Sequence, residues 1–484
     1  MAAMTLIVAI AALWLTRSVD PIRSDTASYL YFEPTRTVGY PAYLELVRLL
    51  TGRVALAAPI QTLVLGAALF LLGWSFHNFA RRPSWSIAFQ ALLLSSPLMW
   101  KTSASLLTET LATACVALWC AQLLRMFRTS SAKGVAVLVA IAATATMIRP
   151  SMIALFPATA LFAVIRVQGR ERWRALAATV AGMGLAWVAT PLAVRLVYPT
   201  AQATSPFARG ILQHSLFCAP ASVADDPEAQ FVERAAAPAR QYVQSAPLGI
   251  RPVLKRYYSA QLRFGLIIPA LGREHGFDAG WQTDPIVSRI AWQRLGANPL
   301  CYAASVTAAD YRMATNQITL TPREARRTRD YIETHPPVPL PTAAPLPYEQ
   351  RIADRAAAEI HAAPNADQPN RELSVPDKSP AVLVWAARIL YSAAAALGLA
   401  SLVTLFRTSS LASARDETWK CVAVLGAAFH GIVGITAIVE LGLSRYGIPL
   451  WPLVCVMPGI VAAALASRTA GRPVIIPAEP ALQL

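Results

Sequence analysis

The feature that most constrains this fold is the recurrence of uncharged apolar runs about as long as a bilayer is thick. A helix rises ~1.5 Å per residue, so ~20 mostly apolar residues cross the hydrocarbon core and ~17 is a practical minimum. About ten runs approach that length, at residues 1–16, 54–79, 84–100, 103–124, 134–148, 150–166, 175–198, 381–406, 420–441 and 446–467. With 55% hydrophobic and only 14% charged residues, the chain lies outside the balance of soluble domains. Lipid offers no partner for backbone N–H and C=O groups, so runs without alternating polarity read as helices. The expectation is an all-α polytopic membrane protein with about ten transmembrane helices.

The first run lacks a basic leader and a small-residue cleavage site, and reads as a retained helix rather than a cleaved signal. Runs 134–148 and 150–166 are divided only by Arg149-Pro150, which fits either a kink in one long helix or a tight turn between two.

A formal charge of +16 would suggest nucleic acid for a soluble chain, but here the arginines punctuate apolar runs instead of forming one basic segment. Nucleic acid is therefore excluded as a partner. With the N-terminus inside, the cytoplasmic turns hold Arg81, Arg82, Arg125, Arg128, Lys133, Arg166, Arg170, Arg172, Arg174, Arg407, Arg415 and Lys420. The opposite turns hold Lys101, Arg149 and Arg445, the asymmetry that the positive-inside rule requires, although a basic first loop blurs it. That orientation divides the chain into an N-terminal membrane module (1–198, with an outer loop at 17–53), an outer segment (199–380), C-terminal helices (381–467) and a cytoplasmic tail (468–484). The alanine- and arginine-rich usage reads as bacterial, which makes the membrane the inner one and the outer face periplasmic.

The outer segment, between the seventh and eighth expected helices, is the only piece large enough for a water-soluble domain. Its first part carries amphipathic patches such as "RPVLKRYYSAQLRFGLIIPAL"; "HPPVPLPTAAPLP" then keeps the chain extended, and "YEQRIADRAAAEIHAA" reads as one short helix. Cys218 and Cys301 are its only thiols, and an oxidising exterior favours joining them. The remaining cysteines read as small core residues. No CxxC, HExxH or paired Cys/His spacing is present, so no metal ligand is assigned.

Ionisable residues inside apolar helices are costly, which makes their positions informative. Glu109, Arg388 and Glu440 all fall in the outer third of the membrane under this topology, the depth that Asp25, Arg36, Lys101, Arg149 and Arg445 reach from adjoining turns. Snorkelling suits the long arginines at helix ends. A polar cavity open to the outside better accounts for short Glu109.

The order of these features resembles the GT-C class of membrane glycosyltransferases, the protein O-mannosyltransferases and lipid A aminoarabinose transferases among them. The resemblance covers about residues 1–200 and 381–467. In that class the first helix leads into an outer loop bearing an acid, matched by "SDTASYL" with Asp25, and continues to "RTVGYP" with Arg36 and Tyr40. "LLTETL" with Glu109 matches an acid at the outer start of a later helix, and "SRYGIPLWP" with Arg445 and Tyr446 matches an Arg-Tyr before a proline-broken last helix. Many relatives carry a second acid beside the first, where this chain has Ser24-Asp25-Thr26. The large outer insertion matches nothing in the class, which leaves the acceptor unassigned.

The resemblance implies transfer of a sugar, with inversion, from a polyprenyl-phosphate donor to a lipid, glycan or protein acceptor on the outer face. Some relatives use a divalent metal ion and others none, so no cofactor is assigned. Asp25 then takes the proton of the acceptor hydroxyl as general base. Arg149, Arg388 and Arg445 are candidates for the leaving phosphate, because a guanidinium fork matches its oxygens and stays charged. Arg36, Tyr40, Glu109 and Tyr446 complete the expected substrate-binding set, and Gly39-Tyr40-Pro41 reads as a turn re-entering the membrane. Two other classes compete. An O-antigen polymerase or ligase would not need the early acid, and a transporter would show paired halves around a midplane site, of which there is no sign.

Overall fold

The computed structural model describes residues 1–16, 25–199, 206–219, 226–245, 267–315, 346–361, 381–407, 414–439 and 444–469, and among these every regular element is helical. The helices before the outer segment are α1 (Ala2–Thr16), α2 (Thr26–Leu30), α3 (Gly39–Thr51), α4 (Ala57–Ala80), α5 (Pro83–Leu94), α6 (Pro97–Ser103), α7 (Thr108–Met126), α8 (Ala132–Ile148), α9 (Leu155–Arg166) and α10 (Gly169–Val197). The outer segment contributes α11 (Pro206–Ser215), α12 (Pro227–Gln244), α13 (Ile267–Glu274), α14 (Asp284–Ala297), α15 (Pro299–Ala314) and α16 (Pro347–His361). After it come α17 (Ala381–Arg407), α18 (Ala414–Val439) and α19 (Trp451–Thr469).

Among the described residues, five helical stretches are long and apolar enough to cross a membrane: Val54–Ala80, Gly169–Val197, Ala381–Leu405, Glu417–Ile438 and Gly447–Ser467. Shorter apolar helices accompany them at Ala2–Trp14, Pro83–Leu94, Ala132–Ile148 and Pro150–Arg166. This is the composition of an all-α membrane protein. α10 presents Trp173, Val180, Leu185, Trp187, Val188, Leu192 and Leu196 outward, an apolar surface suited to lipid rather than water. α7 is its opposite, buried along nearly its whole length. Its polar groups are tolerated because protein, not lipid, surrounds them: Thr113 Oγ1 donates to the Glu109 carbonyl (2.6 Å), and Trp119 Nε1 to Thr159 Oγ1 (3.1 Å).

Three expectations change. The run at 84–100 is two helices, because Pro97 has no N–H to continue the first and Ser96 caps the second by accepting from the Met99 amide. The run at 103–124 becomes helical only at Thr108, after an extended Leu107. At 36–41 the Gly39-Tyr40-Pro41 stretch opens α3 instead of forming a turn. Proline fits there because the first turn has no use for its missing N–H. α3 buries Tyr40, Pro41, Leu44 and Val47 and exposes Leu46, Leu49 and Leu50, the division of a helix lying in a membrane interface.

The ambiguity at Arg149-Pro150 resolves as a reversal. A Cβ placed on Gly182 of α10 would meet Val139 of α8 (2.3 Å) and Phe156 of α9 (3.3 Å) at once. In one continuous helix those two side chains would stand ~25 Å apart. The chain turns at Arg149, which is extended (φ −147°, ψ 119°), and passes through a 3-10 segment, Pro150–Ala154, before α9.

Successive turns gather at opposite ends of the bundle. At one end Arg128 donates to the Asn78 carbonyl, Arg166 donates to the Phe127 carbonyl, and Arg166 pairs with Glu417 at 2.5 Å. At the other end lie the starts of α4 and α7, the end of α8 and the 25–38 loop. α1 belongs to the bundle: Gln90 of α5 donates to Thr5 Oγ1 (2.8 Å).

The helices between α10 and α17 have a core of their own, in which Ile211, Leu212, Val232, Leu271, Val287 and Ile290 are buried together. The expected disulfide is present, joining Cys218 to Cys301 across a sequence separation of 83. Buried Arg294 pairs with Glu233 and donates to the Ser215 carbonyl (2.7 Å). α11 and α15 pack on α18, and α16 packs on α2. The expected short helix at 348–363 is α16. Most of "RPVLKRYYSAQLRFGLIIPAL", the stretch 335–345 and Glu440 lie outside the described residues.

Candidate functional site

The site grows from the loop after α1. Asp25 stands at the start of α2, and its carbonyl accepts from Ser28 Oγ (2.7 Å). Ser28 Oγ in turn accepts from Arg36 Nε (2.8 Å), and Arg36 Nη2 reaches Asp25 Oδ1 at 2.9 Å. The guanidinium also lies 4.6 Å from the centre of the Tyr29 ring and donates to its hydroxyl at 3.4 Å. Asp25 and a residue eleven positions further along thus close the loop on itself through one arginine. Burial by itself would lower the affinity of Arg36 for its proton, but the acidic groups around it, Asp25 among them, more than reverse this, and the group stays charged. Asp25 and Arg36 remain partly exposed, at 21% and 26% of their side chains.

Below this pair the contacts are buried. Tyr29 packs edge-on against Tyr40 (5.2 Å between ring centres), and the Tyr40 hydroxyl donates to Gln61 Oε1 (3.0 Å). Gln61 Nε2 donates to the carbonyls of Ser103 and Ser105 at 2.9 and 2.6 Å. One amide of α4 therefore holds both α3 and the irregular link between α6 and α7. Thr26 Oγ1 donates to the Leu106 carbonyl, and Thr37 Oγ1 to the Ile148 carbonyl. Gly39 is needed where it stands, since a Cβ there would lie 2.7 Å from the backbone of Met147. Burial raises the pKa of the Tyr29 phenol, Arg36 opposes this, and Glu109 and Asp25 add to it, so Tyr29 serves as a neutral hydroxyl.

Glu109 in the first turn of α7 meets Arg149 at the α8 reversal, 3.2 Å apart, with side chains only 2% and 4% exposed. Thr108 Oγ1 donates to the other Glu109 oxygen (3.4 Å). The site thus holds one half-open carboxylate–arginine pair and one closed pair.

The structure brings Asp25, Arg36, Tyr40, Glu109 and Arg149 into one neighbourhood. Arg388 lies elsewhere, buried on α17 with its guanidinium 5.1 Å from the Trp385 ring. Beside it Tyr391 donates to the Gly447 carbonyl (2.7 Å), and both line a cavity of about 90 Å³ with Leu92, Ser96, Ile448 and Trp451. Arg445 and Tyr446 lie in the 3-10 segment Ser444–Leu450, which packs against α7; their side chains are outside the described set. Among the described residues no group of three or more His, Cys, Asp or Glu could hold a metal ion.

Two residues escape a reading of the sequence alone. Gln61 was signalled only as a lone amide within an apolar run. Glu33 is an acid in the same loop as Asp25 and reads there as loop polarity, yet it is only 7% exposed. Comparison with protein-family models, with curated proteins and with solved structures finds no match.

Proposed function

We propose that this chain is a membrane glycosyltransferase that moves a sugar from a polyprenyl-phosphate donor to an acceptor at the end of the bundle carrying Asp25. The observation that carries the reading is the juxtaposition of the Asp25–Arg36 and Glu109–Arg149 pairs at one end of the bundle, tied by Thr26 to Leu106 and by Thr37 to Ile148, in the order expected from the resemblance. In this reading the shorter apolar helices and α7 also cross, giving about ten spans. The Asp25 end faces the periplasm of a bacterial inner membrane, with the outer segment above it.

The chemistry follows from the exposure of the groups. Asp25 accepts the proton of the acceptor hydroxyl as its oxygen bonds to the anomeric carbon, and the bond from that carbon to the phosphate oxygen breaks. A positioned base contributes ~10²–10⁴-fold. Arg36, charged and partly open, can turn from Asp25 to phosphate oxygens when the donor binds. Arg149 is engaged by Glu109 in a closed setting, so its role here is to hold α7 against the α8 reversal. Arg388 and Arg445 remain the cations proposed for the far side of the donor.

Mass spectrometry of lipids, glycans and surface proteins from cells with and without the gene tests the reading. One sugar-bearing species should vanish, return with the wild-type gene and stay absent with Asp25→Asn. Identical profiles in all strains would sink it.

A further inference from the structure

The link between α6 and α7 is irregular backbone within a bundle whose outer faces suit lipid: Leu107 is extended (φ −137°, ψ 154°), and helix resumes only at Thr108. Lipid offers nothing to backbone groups freed in this way, so protein must satisfy them. The Ser103 carbonyl accepts from Gln61 Nε2 (2.9 Å) and from Thr62 Oγ1 (3.1 Å). The Ser105 carbonyl accepts from the same Nε2 (2.6 Å) and from the Leu107 amide (2.9 Å). Side chains of α4 therefore hold the link from which Glu109 is presented, in the first turn of α7.

The other side of the same amide faces the site loop. Gln61 Oε1 accepts from the Tyr40 hydroxyl (3.0 Å), and the Tyr40 ring meets that of Tyr29 edge-on. The Tyr29 hydroxyl accepts from Arg36 Nη1 (3.4 Å), and Arg36 Nη2 reaches Asp25 Oδ1 (2.9 Å). The partners fix which way the amide points, because carbonyls only accept and a phenol can donate. Gln61 and Tyr40 are fully buried, so water does not replace a lost partner. The position needs a donor and an acceptor on one head. An apolar side chain would leave the Tyr40 hydroxyl without this acceptor and both carbonyls short of a donor, and a carboxylate would set lone pairs against both carbonyls.

We propose that Gln61 is a positioning residue, a single amide that registers the Asp25–Arg36 half of the site, on the loop, against the Glu109–Arg149 half at the start of α7. Assigning the two halves to sugar transfer rests on the reading above; the registration does not. Tyr40 belongs to this tether, its hydroxyl committed to α4 beneath the loop. Thr26 Oγ1, donating to the Leu106 carbonyl (3.3 Å), joins loop and link a second time. Two contacts of independent chemistry thus fix one register.

Amide hydrogen exchange of residues 25–38 and 101–108, corrected for intrinsic rates, tests this with the full chain in lipid nanodiscs. Gln61→Met should lower protection of both segments by about tenfold or more, the range for a buried polar group that loses its partner. Tyr40→Phe should lower protection of 25–38 and leave 101–108 unchanged, and in the double variant it should add nothing to the loss in 25–38. At pH 4 Gln61→Glu carries an O–H in place of the amide donor, and should return both segments to within a few-fold of wild type. A change confined to 101–108 in Gln61→Met, additive losses in the double variant, or no rescue by Gln61→Glu would overturn the proposal. Should Gln61→Met fail to fold, the other two variants decide: Tyr40→Phe with 25–38 as well protected as in wild type would overturn it. Polyprenyl monophosphate added to the wild type should protect residues 25–38; no response with the other results intact would remove the carrier reading and leave the tether established.

Discussion

Removing one partner of the Glu109–Arg149 pair tests whether this contact holds the site end of the bundle together. Two unit charges 3.2 Å apart attract by about 5 kcal/mol at an effective dielectric of ~20. Desolvation of both groups offsets much of that, so the pair adds little beyond a well-packed apolar substitute. Breaking it is different, because the survivor is left charged with almost no access to water, at a cost of about 3–5 kcal/mol. Glu109→Leu should therefore remove the counter-charge of buried Arg149 at the α8 reversal, and Arg149→Met that of buried Glu109 at the start of α7. The double variant should recover most of the loss. The four free cysteines are all buried, so a thiol-reactive fluorophore reports unfolding directly during a denaturant titration of detergent-solubilised protein. Single losses below about 1 kcal/mol, the range of exposed pairs, or additive losses in the double variant, would refute the argument.

Asp25→Asn should lower transfer by ~10²–10⁴-fold with donor binding nearly unchanged, whereas Arg36→Met should weaken binding of polyprenyl phosphate as well; steady-state kinetics with a labelled donor separates the two. Replacing Cys218 and Cys301 by serine should destabilise the outer helices by up to about 4–5 kcal/mol on the chain-entropy account of an 83-residue separation, readable as a lower denaturant midpoint and as earlier proteolysis within 206–315. Gly39→Ala should cost about 1–3 kcal/mol, because its Cβ meets backbone rather than a movable side chain; Gly184→Ala on α10, with open space around it and ordinary helical backbone, serves as a control for the clash alone. Single cysteines placed in 199–380 should react with impermeant maleimide in intact cells, and labelling only after lysis would invert the proposed orientation.

The length and polarity of the apolar runs determined the helical class and the approximate ends of most membrane-type helices, since a helix is the one local structure that satisfies its own backbone in lipid. They also placed Asp25 and Arg36 in a loop between apolar helices, because charge is costly within them. The sequence narrowed the thiol pairing as well, for Cys218 and Cys301 were the only two in the outer segment. Tertiary structure decided the rest. Whether Arg149-Pro150 kinks or reverses depends on what packs alongside, and α10 accommodates both α8 and α9 at Gly182. Whether an acid in a loop is solvated or buried depends on chain brought from far away. Asp25 and Glu33 look equivalent in the sequence, but where α16 packs on α2 Glu33 is buried, while Asp25 stays partly open. Burial and ion pairing are properties of neighbours, and for this loop the neighbours lie as many as 300 residues away along the chain.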